Sequence, residues 1–92
     1  MNKVLYYYTV YALSDCGYCA RAISKLGELG LDHLLIIMDK APDYREKIKK
    51  KYDHQTVPAI LRTSKANEED VEFVGGFDDL VALLDSEGYG ED

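Results

Sequence analysis

The hydrophobic positions change their period several times along the chain, and each change marks an element. Val4 to Ala12 is dominated by β-branched and aromatic side chains (Val4, Tyr6, Tyr7, Tyr8, Thr9, Val10, Tyr11), a set that suits a pleated surface and predicts a first strand. From Gly17 to Leu29, Ala20, Ile23, Leu26 and Gly27 share one stripe while Arg21, Lys25 and Glu28 lie away from it, which predicts a helix that Gly30 ends. Within Asp32 to Asp39, Leu34-Leu35-Ile36-Ile37-Met38 is an apolar run of strand length without alternation. Such a run predicts a strand covered on both faces, hence central in its sheet, parallel to the first and reached by a right-handed crossover.

Pro42, Asp43 and Glu46 open a second helix that continues to Tyr52, with Tyr44, Ile48 and Tyr52 on its dry side and Lys47, Lys49, Lys50 and Lys51 on its wet side. Val57 to Arg62 and Val71 to Val74 read as two strands; the Ser64 to Asp70 turn between them is too short for a crossover, so they form an antiparallel hairpin. Gly75-Gly76 breaks the pattern, and Phe77 to Leu84, with Leu80, Val81, Leu83 and Leu84, predicts the last helix. The order is βαβ-αββα, an α/β arrangement of a four-stranded mixed sheet flanked by three helices. Once those helices are docked, no apolar stripe is expected to remain on the surface.

Ninety-two residues make one domain, assigned to residues 1–84, with residues 85–92 as an acidic tail expected to be solvated and frayed. The apolar content of 47% and charged content of 30% are those of a folded globular chain. No stretch approaches the roughly 18–20 apolar residues of a membrane span, and the N-terminal segment does not match a secretory signal, so the expected location is cytoplasmic. The net charge of −6 repels nucleic acid and anionic membranes, so neither is expected as a partner. Asp85, Glu87, Glu91 and Asp92 concentrate that charge in the tail, leaving eleven basic against thirteen acidic residues, −2, in residues 1–84.

The two cysteines sit together as Cys16-Gly17-Tyr18-Cys19, at the turn from the first strand into the first helix. Closing so short a loop contributes about 2 kcal/mol on the chain-entropy relation, against about 3 kcal/mol for a 15-residue loop. A bond that stabilises so little is suited to being made and broken. Zinc is the competing use of two cysteines beside His33 and His54, but the twenty residues between the histidines do not fit a finger, and no metal site is expected.

A Cys-x-x-Cys at that place in a βαβ unit already suggests a thioredoxin-like redox site. Together with Thr56-Val57-Pro58 before the hairpin, Gly75-Gly76-Phe77-Asp78-Asp79 opening the last helix, and Cys16-Gly17-Tyr18-Cys19-Ala20-Arg21-Ala22, the chain resembles the glutaredoxin family in its small dithiol form, from Val4 to Leu84. The resemblance implies a thioredoxin-like (glutaredoxin) fold, a cis Val57–Pro58 bond facing the cysteines, and glutathione as reductant in a thiol-disulfide oxidoreductase. Implied clients are disulfide-containing or glutathionylated proteins, ribonucleotide reductase among them, and the protein is expected to act as a monomer.

Cys16, at the start of the helix where unpaired N–H groups and the helix dipole favour negative charge, is the expected nucleophile. Cys19, one turn deeper, is the resolving thiol. By the resemblance, Val57 pairs its backbone with the cysteinyl part of glutathione, and the first N–H groups of the last helix, at Gly76, Phe77 and Asp78, take the γ-glutamyl carboxylate. Asp78 or Asp79 holds the ligand's α-amino group, or Asp78 only caps the helix. Tyr18 walls the groove, Pro58 joins the glutathione-binding set beside Val57, and Thr56 fixes the loop.

Four positions depart from the family pattern. Gly17 stands where many dithiol members have proline, a loss also associated with members that bridge an iron-sulfur cluster between two protomers. Leu13 replaces a basic residue, Asp15 precedes the nucleophile, and Gln55 stands where arginine is common, leaving Arg21 as the nearest cation for the glycyl carboxylate. Two alternatives therefore stand beside the glutathione reading: a redoxin recharged by thioredoxin reductase, favoured by Leu13 and Asp15, and a cluster carrier.

Overall fold

In the computed structural model, which describes residues 5–89, the chain forms β1 (Tyr6–Ala12), α1 (Gly17–Glu28), β2 (His33–Ile37), α2 (Pro42–Tyr52), β3 (Ala59–Ser64), β4 (Val71–Gly75) and α3 (Phe77–Ser86). Val4 and the end of the tail, residues 90–92, lie outside the described residues. The sheet order is β2-β1-β3-β4, with β1 parallel to β2 and antiparallel to β3, and β3 antiparallel to β4. This is the expected element order and mixed sheet.

Strand alternation sends β1 into two cores. Tyr8, Val10 and Ala12 meet Cys19, Ala22 and Leu26 of α1, Ile60 of β3 and Leu80 and Leu84 of α3 on one face. Tyr11 meets Met38, Ile48 of α2, Ala59 and Leu61 on the other. Two helices thus cover one face and one covers the other. No helix among the described residues is long and apolar enough to cross a membrane.

Three expectations need correction. The apolar run after α1 is an edge strand, not a central one: among the described residues β2 pairs only with β1, and Leu34, Leu35 and Ile37 are 54%, 47% and 47% exposed. A run without alternation reports that both faces are apolar, but whether each is covered depends on where the helices pack. An apolar surface is therefore left over after all. Secondly, α1 is rotated from the expected stripe: Cys19, Ala22 and Leu26 are its buried residues, and Ala20 and Gly27 are exposed. The inward face starts at the second cysteine, one turn before Ala22 and Ile23. Thirdly, β3 begins at Ala59, two residues later than expected, because Pro58 has no N–H to give to a ladder.

The helix ends follow their local chemistry. Gly30 (φ 70°) ends α1 in the left-handed conformation, with Gly30 N–H on Gly27 C=O at 3.1 Å and Leu31 N–H on Leu26 C=O at 2.9 Å. Beyond the expected boundary at Leu84, α3 continues through Ser86, and Glu87 is held by Arg62.

Candidate active site

The loop that carries the first cysteine is pinned at the end of the parallel strand pair. Asp39, just after β2, accepts the Ser14 backbone N–H at 2.9 Å and the Ser14 hydroxyl on its other oxygen. The Ser14 hydroxyl, and then its N–H, hold the Asp39 carboxyl below the usual carboxylate range. Met38 N–H bonds to Ala12 C=O at 2.9 Å, so both ends of the turn are fixed.

From this loop Cys16 enters α1 as its N-cap, in extended conformation (φ −147°, ψ 107°). Its sulfur accepts the Cys19 N–H at 3.1 Å, taking the place of the oxygen that Ser or Asp supplies at other helix starts. The same donor and the helix dipole favour a thiolate at Cys16 whenever the pair is reduced. Cys16 and Cys19 are joined as a disulfide, with Cα atoms 5.3 Å apart. The two differ in access: Cys16 is half-buried and Cys19 only 3% exposed. An external disulfide therefore reaches Cys16 first, and Cys19 is placed to attack only what Cys16 already holds.

Opposite the pair, the Val57–Pro58 bond is cis, as expected, and the Val57 carbonyl oxygen lies 3.8 Å from Cys16 Sγ. From there an open groove of about 460 Å³ runs between two walls. Tyr18, Thr56, Val57 and Pro58 make one, and Gly76, Phe77, Asp78 and Asp79, at the start of α3, make the other. All eight residues named from the sequence beside the two cysteines are thus brought together. Tyr18, 56% exposed, faces Phe77 with ring centroids 6.0 Å apart, and the Arg21 guanidinium sits 5.1 Å over the Tyr18 ring.

The two acids at the start of α3 divide their roles. Asp79 Oδ2 accepts the Gly76 N–H at 2.9 Å, so Asp79, not Asp78, is the helix cap, and Asp78 is left exposed at the groove. First-turn N–H groups have no partner within a helix, so those of Phe77 and Asp78 are available to an anion.

His54 also lines the groove, a placement that sequence reasoning missed, since it weighed His54 only as a zinc ligand. At the end of α2, Asp53 takes a left-handed conformation (φ 50°) and the His54 N–H returns to Lys49 C=O at 3.0 Å. That turn brings the imidazole edge-on to Phe73, 5.3 Å between centroids, and its Nε2 to 3.4 Å from Thr56 Oγ1. Its position two residues before Thr56 was the available signal. Of the departing residues, Asp15 and Gln55 are exposed, and Leu13 is half-buried against the α2-side core. Among the described residues no group of three or more His, Cys, Asp or Glu side chains could hold a metal ion.

A family model described as Glutaredoxin matches residues 5–63, well over half of the chain. The chain belongs to the glutaredoxin family. Among solved structures, this glutaredoxin is similar to the dithiolic glutaredoxin of Trypanosoma brucei brucei at 33% identity, covering 89% of this chain and 79% of that one, with a TM-score of 0.65. Glutaredoxin 1 from Francisella tularensis, solved with cacodylate, shares the fold at 22% identity (TM-score 0.69; 89% of this chain, 95% of that one). A buckwheat glutaredoxin-glutathione complex shares it at 22% identity (TM-score 0.68; 89% and 70%). No curated protein sequence matches this glutaredoxin. Membership and the paired cysteines make it a thiol-disulfide oxidoreductase.

Proposed function

We propose that this glutaredoxin uses glutathione as reductant to reduce protein disulfides or glutathione mixed disulfides through Cys16 and Cys19. The observation that carries the reading is the groove that starts at Val57 beside Cys16, walled by Tyr18, Val57 and Pro58 on one side and the start of α3 on the other. An extended tripeptide suits it. Its backbone pairs with Val57 beside the sulfur, its γ-glutamyl carboxylate meets the first N–H groups of α3, and its α-amino group meets Asp78. With Leu13 offering no charge, Arg21 at the Tyr18 ring and His54 in the groove wall are the basic groups offered to the glycyl carboxylate. The glutathione complex of the buckwheat relative adds support.

The reaction is two exchanges. The Cys16 thiolate attacks one sulfur of the substrate disulfide, the S–S bond breaks, and the departing thiolate takes a proton from water. Cys19, as thiolate, then attacks Cys16 Sγ, closes the protein disulfide and releases the second substrate sulfur as a thiol once protonated. Two glutathione thiols reduce the protein disulfide in turn and leave as glutathione disulfide. With a glutathione mixed disulfide, one glutathione can resolve the Cys16 intermediate directly. The setting proposed is the cytoplasm, where thiols are kept reduced, with the protein acting as a monomer on clients that could include ribonucleotide reductase.

The test is turnover of a small glutathione mixed disulfide with glutathione as sole electron donor. Wild type and Cys19→Ser are expected to turn over, and Cys16→Ser is expected to be inactive. A wild type inert with glutathione but active with thioredoxin reductase would reject glutathione as the donor.

A further inference from the structure

Cys16 borders a second groove, on the side away from Val57. Leu35 and Ile37 of β2 pair in register with Val10 and Ala12, so their side chains lie on the α1 face of the sheet, beyond the flank of that helix. Together with Ala20 and Ile23 of α1 and Leu13 of the loop, they enclose about 250 Å³ that reaches both cysteines. None of its lining residues is charged, and the Ser14 hydroxyl at its rim is already bound to Asp39. Leu35 and Ile37 remain 47% exposed each, and among the described residues the outer edge of β2 has no strand partner.

We propose that this groove seats an apolar, extended stretch of a client polypeptide next to the client's disulfide. The occupant follows from continuity with the redox centre, because whatever fills the groove lies against the disulfide that the protein exchanges. A tripeptide with two carboxylates finds no cation there, and the Val57 groove offers it better partners. A client chain fits on two counts. Cysteine is among the most buried residue types, so the sequence around a client disulfide is commonly apolar. In addition, an extended segment can pair with the free edge of β2 while its alternate side chains enter the groove. The inference rests on thiol-disulfide exchange at Cys16 and is independent of glutathione as donor.

The test uses the pre-reduced full chain and no external donor. Two peptides carry the same intramolecular disulfide, flanked by Leu and Ile in one and by Ser and Asn in the other, and their reduction is followed by acid quench in a single turnover. The apolar peptide is expected to react about tenfold faster, the usual discrimination of a small apolar site. In Leu35→Gln with Ile37→Gln, which adds no charge near the thiolate, that advantage should vanish. The rate with the polar peptide should stay unchanged, showing that the variant is folded and competent. Equal rates in wild type, or a preference that survives in the variant, would overturn the proposal. So would a concentration-dependent wild-type dimer, seen by sedimentation, that the two substitutions dissociate, since the face would then belong to a second copy.

Discussion

Asp79 accepts the backbone N–H of Gly76 at 2.9 Å, while its neighbour Asp78 stands free at the groove. Adjacent acids at one helix start thus have separable tasks. Asp79→Ala should lower stability by about 1 kcal/mol, the ordinary cost of a lost N-terminal cap. Asp78→Asn should leave stability within about 0.5 kcal/mol yet raise KM for glutathione about three- to tenfold, since an exposed charge-assisted hydrogen bond is partly screened. Urea unfolding and steady-state kinetics on the two variants separate these effects. A KM unchanged in Asp78→Asn would mean that the ligand's amino group is held elsewhere.

Gly75 has φ 121°, and a Cβ built there would overlap the Asp79 carboxylate. Gly75→Ala should therefore combine backbone strain with loss of the cap, for about 2 kcal/mol or more. Gly27 is the contrast: it sits in α1, exposed, with nothing within 4 Å of its would-be Cβ. Gly27→Ala should stabilise by about 0.5–1 kcal/mol. Thermal melts of both variants check the opposite signs.

Arg62, on β3 and buried, bridges Glu87 at 2.5 Å and Glu72 at 2.7 Å, and lies 4.2 Å over the Tyr6 ring. Burial works against its charge, but the hydrogen bonds and fields of Glu87 and Glu72 outweigh that and move its pKa upward. Removing the cation leaves Glu87 without its partner, so Arg62→Met should cost about 2–3 kcal/mol. The figure sits below that of a fully buried pair because Arg62 Nε and Glu87 Oε1 are themselves unpaired and Glu72 is 58% exposed. Glu72→Gln should cost less than about 0.5 kcal/mol. Urea denaturation gives both values, and limited proteolysis of Arg62→Met should show earlier cleavage after α3, where Glu87 is released.

What the sequence conveyed and what it withheld divide along a physical line. Order and type of elements came through because β1, α1, α2 and α3 each bury a periodic face, and the cysteine pair, Val57–Pro58 and Gly76–Asp79 are local signals that sit at the ends of those elements. Coverage was not legible. Leu34 to Met38 has the same composition whether helices lie over it or beside it, and only the position of α1 leaves Leu35 and Ile37 in the open. Cys19 was assigned to chemistry, which hid its second role as the first residue of the buried face of α1. His54 reached the groove through a left-handed Asp53, a conformation that a sequence does not announce at a residue other than glycine.

The Ser14–Asp39 contact gives the loop before Cys16 a pH dependence whose sign can be derived. Hydrogen bonds from the Ser14 hydroxyl and N–H lower the Asp39 pKa in the folded state. A lowered native pKa contributes stability that is complete above the unfolded value of roughly 4 and is lost as pH falls through the native one. Asp32, lowered by its hydrogen bond and attraction to Lys65, has the same sign, so the acid limb of the wild type alone does not isolate Asp39. The difference between wild type and Asp39→Ala does. Measured by urea unfolding, it should be constant from about pH 5 to 8 and shrink below about pH 4, where the wild-type carboxyl is itself protonated. At neutral pH, Asp39→Ala should also slow reduction of mixed disulfides several-fold, because the turn that presents Cys16 loses both of its Ser14 hydrogen bonds and keeps only the Met38–Ala12 backbone bond. A difference that stays flat down to about pH 2 would show that the Asp39 charge is not what secures that turn.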